Sequence, residues 1–223
     1  MKVRMRIRKK EEAKYISHLD LMRALERAMR RAKLPLKFTE GFNPRPKLTF
    51  TPAIPVGITS DVEYMDVEFT KQLSMDEIFS RLNSVLPPGI SLVKVDTAEG
   101  KIPLSAVNRA LYTVVVDIGN ATREVLEKAI EKLLSRSEIN IEKKSKGKVK
   151  FVNIAPWIYD IKIGQIEDGK IELKMELAAG QQGSVTPPAV VNALQEYIPS
   201  LSVRRINRDE IFLFDNGKRI DPI

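Results

Sequence analysis

The first 95 residues change hydrophobic period in the order 2, 3.6, 2, 2, 3.6, 2, and this order constrains the fold more than any other feature of the chain. Val3, Met5 and Ile7 alternate with Lys2, Arg4, Arg6 and Arg8, the pattern of a half-buried strand that runs to Lys9. A helix follows. Ser17 is its predicted cap, and Asp20, three residues on, favours the first turn. Leu21, Met22, Leu25, Met29 and Ala32 share one face, and Pro35 ends the helix. Lys47–Thr51 and Val62–Phe69 read as strands. A second helix is capped by Ser74, with Glu77 at the capping-box position, and is stopped by Pro87-Pro88-Gly89. Ile90–Val95 is the next strand. The order β-α-β-β-α-β is that of a ferredoxin-like split βαβ unit.

After a linker near residues 97–110 the order repeats. Tyr112–Ile118 reads as a strand and Thr122–Ser135 as a helix. Ile139–Lys144 and Lys148–Val152 form a predicted hairpin around Lys146-Gly147. Trp157–Ile163 and Lys170–Leu177 form a second around Glu167-Asp168-Gly169. Thr186 caps a helix opened by Pro187 and running to about Tyr197. Ser202–Ile206 and Ile211–Phe214 are two closing strands. The expected fold is α+β, with two tandem ferredoxin-like halves at residues 1–98 and 109–223, the second carrying an extra β-hairpin. No identity between the halves is visible, so the duplication rests on element order alone.

Charge is placed unevenly. The net formal charge is +8, but residues 1–50 hold 15 Lys/Arg against 5 Asp/Glu. The remainder is slightly acidic. Such concentration points to a polyanionic partner, nucleic acid before membrane. Hydrophobic content of 43% and charged content of 30% describe a globular chain. There is no cysteine, which removes disulfides, thiolate metal sites, iron–sulfur clusters and cysteine nucleophiles together. No apolar run reaches the length of a membrane span or a signal peptide, so the expected location is cytoplasmic.

Three features carry the candidate site. Arg23, Arg27, Arg30 and Arg31 fall within about 100° of arc on the polar face of the first helix. With only Asp20 and Glu26 nearby they are not all neutralised locally, and the guanidinium fork suits phosphate. The stretch EGFNPRPKLTFTPAIPVG, Glu40 to Gly57, is stiffened by Pro44, Pro46 and Pro52 and turned by Gly41 and Gly57. It would hold Asn43, Arg45 and Lys47 in fixed positions, with Phe42 stacking on a base or anchoring the loop in the core. Arg4 and Arg6, with Lys2 and Arg8, would stud the open face of the sheet, where Asp66 and Glu68 of a neighbouring strand compete for them.

His18 is the only histidine. It shares a face with Met22 and Leu25 and reads as a packed residue, with a general base for RNA cleavage as the alternative. The lysines of KKSKGKVK, Lys143 to Lys150, form a basic hairpin tip. GQQGSVTPP runs into a helix N-terminus that could hold an anion, but lacks the Gly-Lys-Ser/Thr ending of a Walker loop. Trp157 reads as core or interface. Arg204, Arg205 and Arg208 would extend the basic surface. The carboxylates show no metal-binding spacing.

The run from Tyr15 to Phe69 resembles a known bacterial group. Ser-His-Leu-Asp at Ser17 to Asp20, Arg-Arg-Ala-Lys-Leu-Pro at Arg30 to Pro35 and Gly-Phe-Asn-Pro-x-Pro-Lys at Gly41 to Lys47 carry the resemblance, with Pro55-Val56-Gly57 and Glu63-Tyr64. They are similar to the radical-SAM-linked domain of unknown function, found beside or fused to cobalamin-binding radical SAM proteins. The family has no assigned reaction. Without cysteine this chain cannot hold the cluster, so the resemblance implies a partner or delivery module with no cofactor of its own. The expected function is therefore RNA binding, with tRNA or rRNA as the guess, in support of a radical SAM enzyme. Six neutralised phosphates would cost about a thousandfold in affinity between 50 and 200 mM salt. The alternatives are a metal-independent endoribonuclease using His18 and a protein–protein adaptor for the radical SAM enzyme that never touches RNA.

Overall fold

The computed structural model describes residues 1–145, 148–167 and 170–223. The fold is α+β, with four α-helices among the described residues. The chain divides into two compact units. One holds Met1–Val107 together with Glu210–Ile223, and the other Asn108–Asp209. The closing segment, which the sequence reading assigns to the second half, thus lies in the first unit.

In the first unit, β1 (Lys2–Lys9) pairs antiparallel with β3 (Thr59–Glu68) on one side and with β4 (Ile90–Thr97) on the other. The short β2 (Leu48–Phe50) lies on β3. Helix α1 (His18–Arg31) begins as its sequence dictates, because the Asp20 N–H donates to Ser17 Oγ at 3.2 Å. Helix α2 (Met75–Asn83) is capped alike, the Glu77 N–H donating to Ser74 Oγ at 3.1 Å. Leu21, Leu25 and Met29 of α1 and Ile78 and Leu82 of α2 bury against Val3, Met5, Ile7, Met65 and Val67 of the sheet. Alternation along β1 and β3 therefore selects the face on which the helices lie.

In the second unit, β5 (Arg109–Asp117) and β8 (Ile158–Glu167) flank β9 (Lys170–Gly180), and the two-residue β10 (Gly183–Ser184) also pairs with it. β6 (Asn140–Ser145) and β7 (Lys148–Asn153) form a separate hairpin. The predicted turns at Lys146-Gly147 and Asp168-Gly169 lie outside the described residues, as do the Lys143, Lys144 and Lys148 side chains of the basic tip. Helices α3 (Arg123–Leu134) and α4 (Pro187–Leu194) complete the unit. α4 ends three residues before the expected Tyr197. Its Thr186 makes no side-chain cap bond among the described residues; instead the Thr186 carbonyl accepts from the N–H groups of Ala189 and Val190. Trp157 is packed against the Gly183 backbone so closely that a Cβ there would overlap the indole.

The two closing strands of the sequence reading are one strand, β11 (Ser202–Asp215). The polar run Asn207-Arg208-Asp209-Glu210 suggests a break, but the Asp209 carboxylate is bonded within the second unit. Thr113 Oγ1 donates to Asp209 Oδ2 at 2.5 Å and Asn207 Nδ2 to Asp209 Oδ1 at 2.5 Å. After β11 the chain turns at Asn216-Gly217, both at positive φ, into β12 (Lys218–Ile220). An Asn-Gly pair is the strongest short hairpin signal, and it went unused in the sequence reading.

Candidate nucleic-acid interface

The polar face of α1 supplies the cations, and their states differ. Arg23 approaches Asp20 at 3.6 Å, and Arg30 donates to Glu26 Oε1 at 2.8 Å; both arginines stay largely exposed. Surface pairs of this kind are weak and are exchanged readily for phosphate. Arg31 donates to the Val85 carbonyl at 2.8 Å and so ties α1 to the segment after α2. Arg27 is exposed and, among the described residues, has no ion pair or hydrogen bond. Arg81, which the sequence reading passed over, donates to the Ala32 and Lys33 carbonyls and closes the C-terminal end of α1. Its place one helical turn after Glu77 offered no clue to that role.

The proline loop is built as a stem and a tip. Phe38 and Pro46 face each other as an isolated antiparallel bridge, and the Lys47 N–H donates to the Lys37 carbonyl at 2.9 Å. One step further out, the Thr39 N–H donates to the Arg45 carbonyl at 2.8 Å and the Arg45 N–H to Thr39 Oγ1 at 3.0 Å. These two bonds close a tip of Glu40, Gly41, Phe42, Asn43 and Pro44, all exposed. Gly41 sits at φ +119, a conformation that side chains disfavour. Phe42 points wholly into solvent, at 106% exposure, so the alternative of a core anchor is set aside. Stem and helix lie side by side, since the Arg30 guanidinium stands 5.3 Å over the Phe38 ring. In the stem, Lys37 bonds Glu68 and holds its carboxyl below the usual range. Arg45 is exposed, with no side-chain partner among the described residues.

Arg4 and Arg6 do not join this surface. Arg4 is 1% exposed, and its Nε and Nη2 donate to Asp66 Oδ1 and Oδ2 at 2.6 and 2.9 Å. Its Nη1 donates to the Pro222 carbonyl at 2.9 Å. The face expected to be open is covered by the β11–β12 hairpin and the residues after it. There Arg219 lies over Phe212, 4.4 Å from the ring centroid, and bridges Glu210 and Asp221. Arg6 is half-buried opposite Tyr64, its Nε 3.4 Å from the Asp61 carbonyl. Burial pushes the Tyr64 phenol up, against the pull of the Arg6 charge. Lys2 and Arg8 are half-exposed and pair with Asp66 and Asp61 at 3.3 and 3.1 Å.

His18 packs edge-on against Phe50, ring centroids 5.5 Å apart. At about 100° per residue it lies on the far side of α1 from the arginines, apart from the basic face of the helix. In the second unit, Arg204 bonds Asp117 at 2.7 Å and stays exposed, as does Arg205, while Arg208 is buried. Pro187 and Pro188 remove two N–H donors from the start of α4, so that terminus offers an anion little. Among the described residues no group of three His, Asp or Glu is placed to hold a metal ion, and no helix is long and apolar enough to cross a membrane.

Fold and site together define an α+β protein with a basic helix face beside a rigid, apolar-tipped loop. The chain belongs to the family described as "Uncharacterized protein conserved in bacteria (DUF2344)", whose model matches residues 2–187. No curated protein matches it. Among solved structures it is similar to a chain of a Cbf5-Nop10-Gar1 complex, with TM-score 0.55 and 8% identity, over 94% of this chain and 48% of that one. A chain of an H/ACA RNP bound to a substrate RNA containing 2'-deoxyuridine gives TM-score 0.53 at 8% identity, over 92% and 46%. A chain of the archaeal box H/ACA sRNP Nop10-Cbf5 complex gives 0.50 at 8% identity, also over 92% and 46%. The likeness is one of fold, and this chain spans about half the length of those it matches.

Proposed function

We propose that the chain is a non-catalytic RNA-binding module supporting a radical SAM modification enzyme, and that it grips RNA through Arg23, Arg27 and Arg30 of α1 with Asn43, Arg45 and Lys47 of the loop. The observation that carries this is the Arg30–Phe38 stack, which unites the helix arginines and the loop in one basic surface. Two of the similar chains come from H/ACA ribonucleoproteins, one of them with a substrate RNA bound, in keeping with this reading. The strand orders β4-β1-β3-β2 and β11-β5-β9-β8 support a description as two tandem ferredoxin-like halves. The RNA class is tRNA or rRNA.

In this reading five cations, Arg23, Arg27, Arg30, Arg45 and Lys47, meet phosphates, Arg31 being tied to Val85. At five neutralised phosphates, affinity falls roughly 100- to 500-fold between 50 and 200 mM salt. Fluorescence anisotropy with bulk tRNA and with rRNA fragments measures this directly. The reading predicts that slope, and its loss on Arg23→Glu with Arg27→Glu. A shallow slope, or unchanged affinity in the double variant, sinks it.

Docking on the enzyme without RNA contact has one observation in its favour. Tyr15 and Val56 are exposed large apolar side chains next to the two residues joined by the bond from the Gly57 N–H to the Lys14 carbonyl, 2.8 Å long. Co-purification of a radical SAM protein after nuclease treatment and high salt distinguishes this reading.

A further inference from the structure

We infer that the tip of the Thr39–Arg45 loop takes an unpaired base, so that the RNA held by this surface is single-stranded at the loop. The inference rests on the RNA-binding reading and adds the substrate class.

Phe42 is the most exposed of the large apolar side chains among the described residues. A phenyl ring held in water forgoes the gain that burial brings, and an apolar face laid on it recovers that gain. The ring is not on a floppy tether. The two bonds between Thr39 and Arg45 close the loop, Pro44 and Pro46 fix φ on the descending leg, and Gly41 makes the turn. A ligand meeting such a platform orders little on binding. Asn43, next to the ring, offers an amide with both donors and an acceptor, the equipment to read a base edge. Arg45 stands at the foot of the tip, placed for the phosphate that follows the base. Glu40 is the one carboxylate of the tip and disfavours phosphate there, which leaves the apex to the base and the stem to the backbone.

Duplex RNA does not fit this arrangement. In an A-form helix each base face is covered by its neighbours, and the deep, narrow major groove excludes side chains. A single ring on a projecting loop finds a π-face only where a nucleotide is splayed out, in a single strand, bulge or hairpin loop.

The test compares a labelled unstructured 12-nucleotide RNA with the blunt duplex of the same sequence, in low salt, for the intact chain and three variants, Phe42→Ala, Phe42→Trp and Arg27→Glu, each checked for fold by circular dichroism. Phe42→Ala is expected to weaken single-strand binding about 5- to 150-fold while leaving duplex binding unchanged. Phe42→Trp is expected to retain single-strand affinity and to show indole quenching with the single strand but not with the duplex. If Phe42→Ala binds both forms as the unchanged chain does, while Arg27→Glu weakens both, the base-taking role is overturned and RNA binding stands. If neither form is bound by the unchanged chain, the RNA-binding reading falls and this inference with it.

Discussion

Asp66→Asn is the perturbation with the largest expected consequence. Asp66 is 3% exposed and Arg4 1%, and both carboxylate oxygens accept from the guanidinium. The substitution keeps the shape of the side chain and removes its charge. The Arg4 cation then stays inside with neutral acceptors alone, the new amide oxygen and the Pro222 carbonyl. Breaking one partner of a buried pair costs about 3–5 kcal/mol, a large share of the ~5–15 kcal/mol that holds a typical protein folded. For a chain of this size each kcal/mol moves Tm by roughly 2–4 °C, so a drop of about 6–20 °C is expected. Urea denaturation followed by far-UV circular dichroism gives the free energy independently. Replacing both partners, Arg4→Met with Asp66→Leu, removes the stranded charge and should return stability to within about 2 kcal/mol of the parent. A loss below about 1 kcal/mol for Asp66→Asn would refute the reasoning, because it would mean that water reaches the guanidinium.

Two further outcomes follow from single contacts. Gly183→Ala drives a methyl into the Trp157 indole; a loss of about 1–3 kcal/mol is expected, with a shifted Trp fluorescence maximum, and an unchanged melt would show that the ring moves freely. Asp117 accepts from Arg204 and from the Gly119 N–H, and the Arg204 guanidinium foremost holds its carboxyl below the ordinary aspartate range. Its folded value is depressed, so its contribution is complete above the unfolded value and is lost as pH falls through the folded one. Carboxyl NMR titration should place Asp117 low in the parent and nearer the ordinary value in Arg204→Ala; equal values in both would assign the shift elsewhere.

The helices and most strands were legible because period and caps agree. Ser17 and Ser74 sit where their hydroxyls accept the N–H three residues on. What periodicity could not show was the fate of charge. Arg4 and Arg27 look alike in the sequence, yet one is sealed beneath the C-terminal segment and the other is exposed. Their difference comes from a partner 62 residues away and an acceptor 218 residues away. The same cause joined the two expected closing strands into β11, since Asp209 finds Thr113 across 96 residues. The loop was legible as rigid from its prolines and glycine. Its closure by Thr39 and Arg45, which decides that Phe42 faces out, was not.

Because Glu210–Ile223 belongs to the first unit, that unit is discontinuous along the chain. On a ribosome its first 107 residues emerge long before the segment that covers Arg4, and on the order of ten seconds of synthesis separates the two. Throughout that interval the basic arm and its polar sheet face are solvated and open to chaperones or to stray polyanions. Completion of the first unit therefore waits until the whole second unit has been synthesised, whatever the order in which the helices dock.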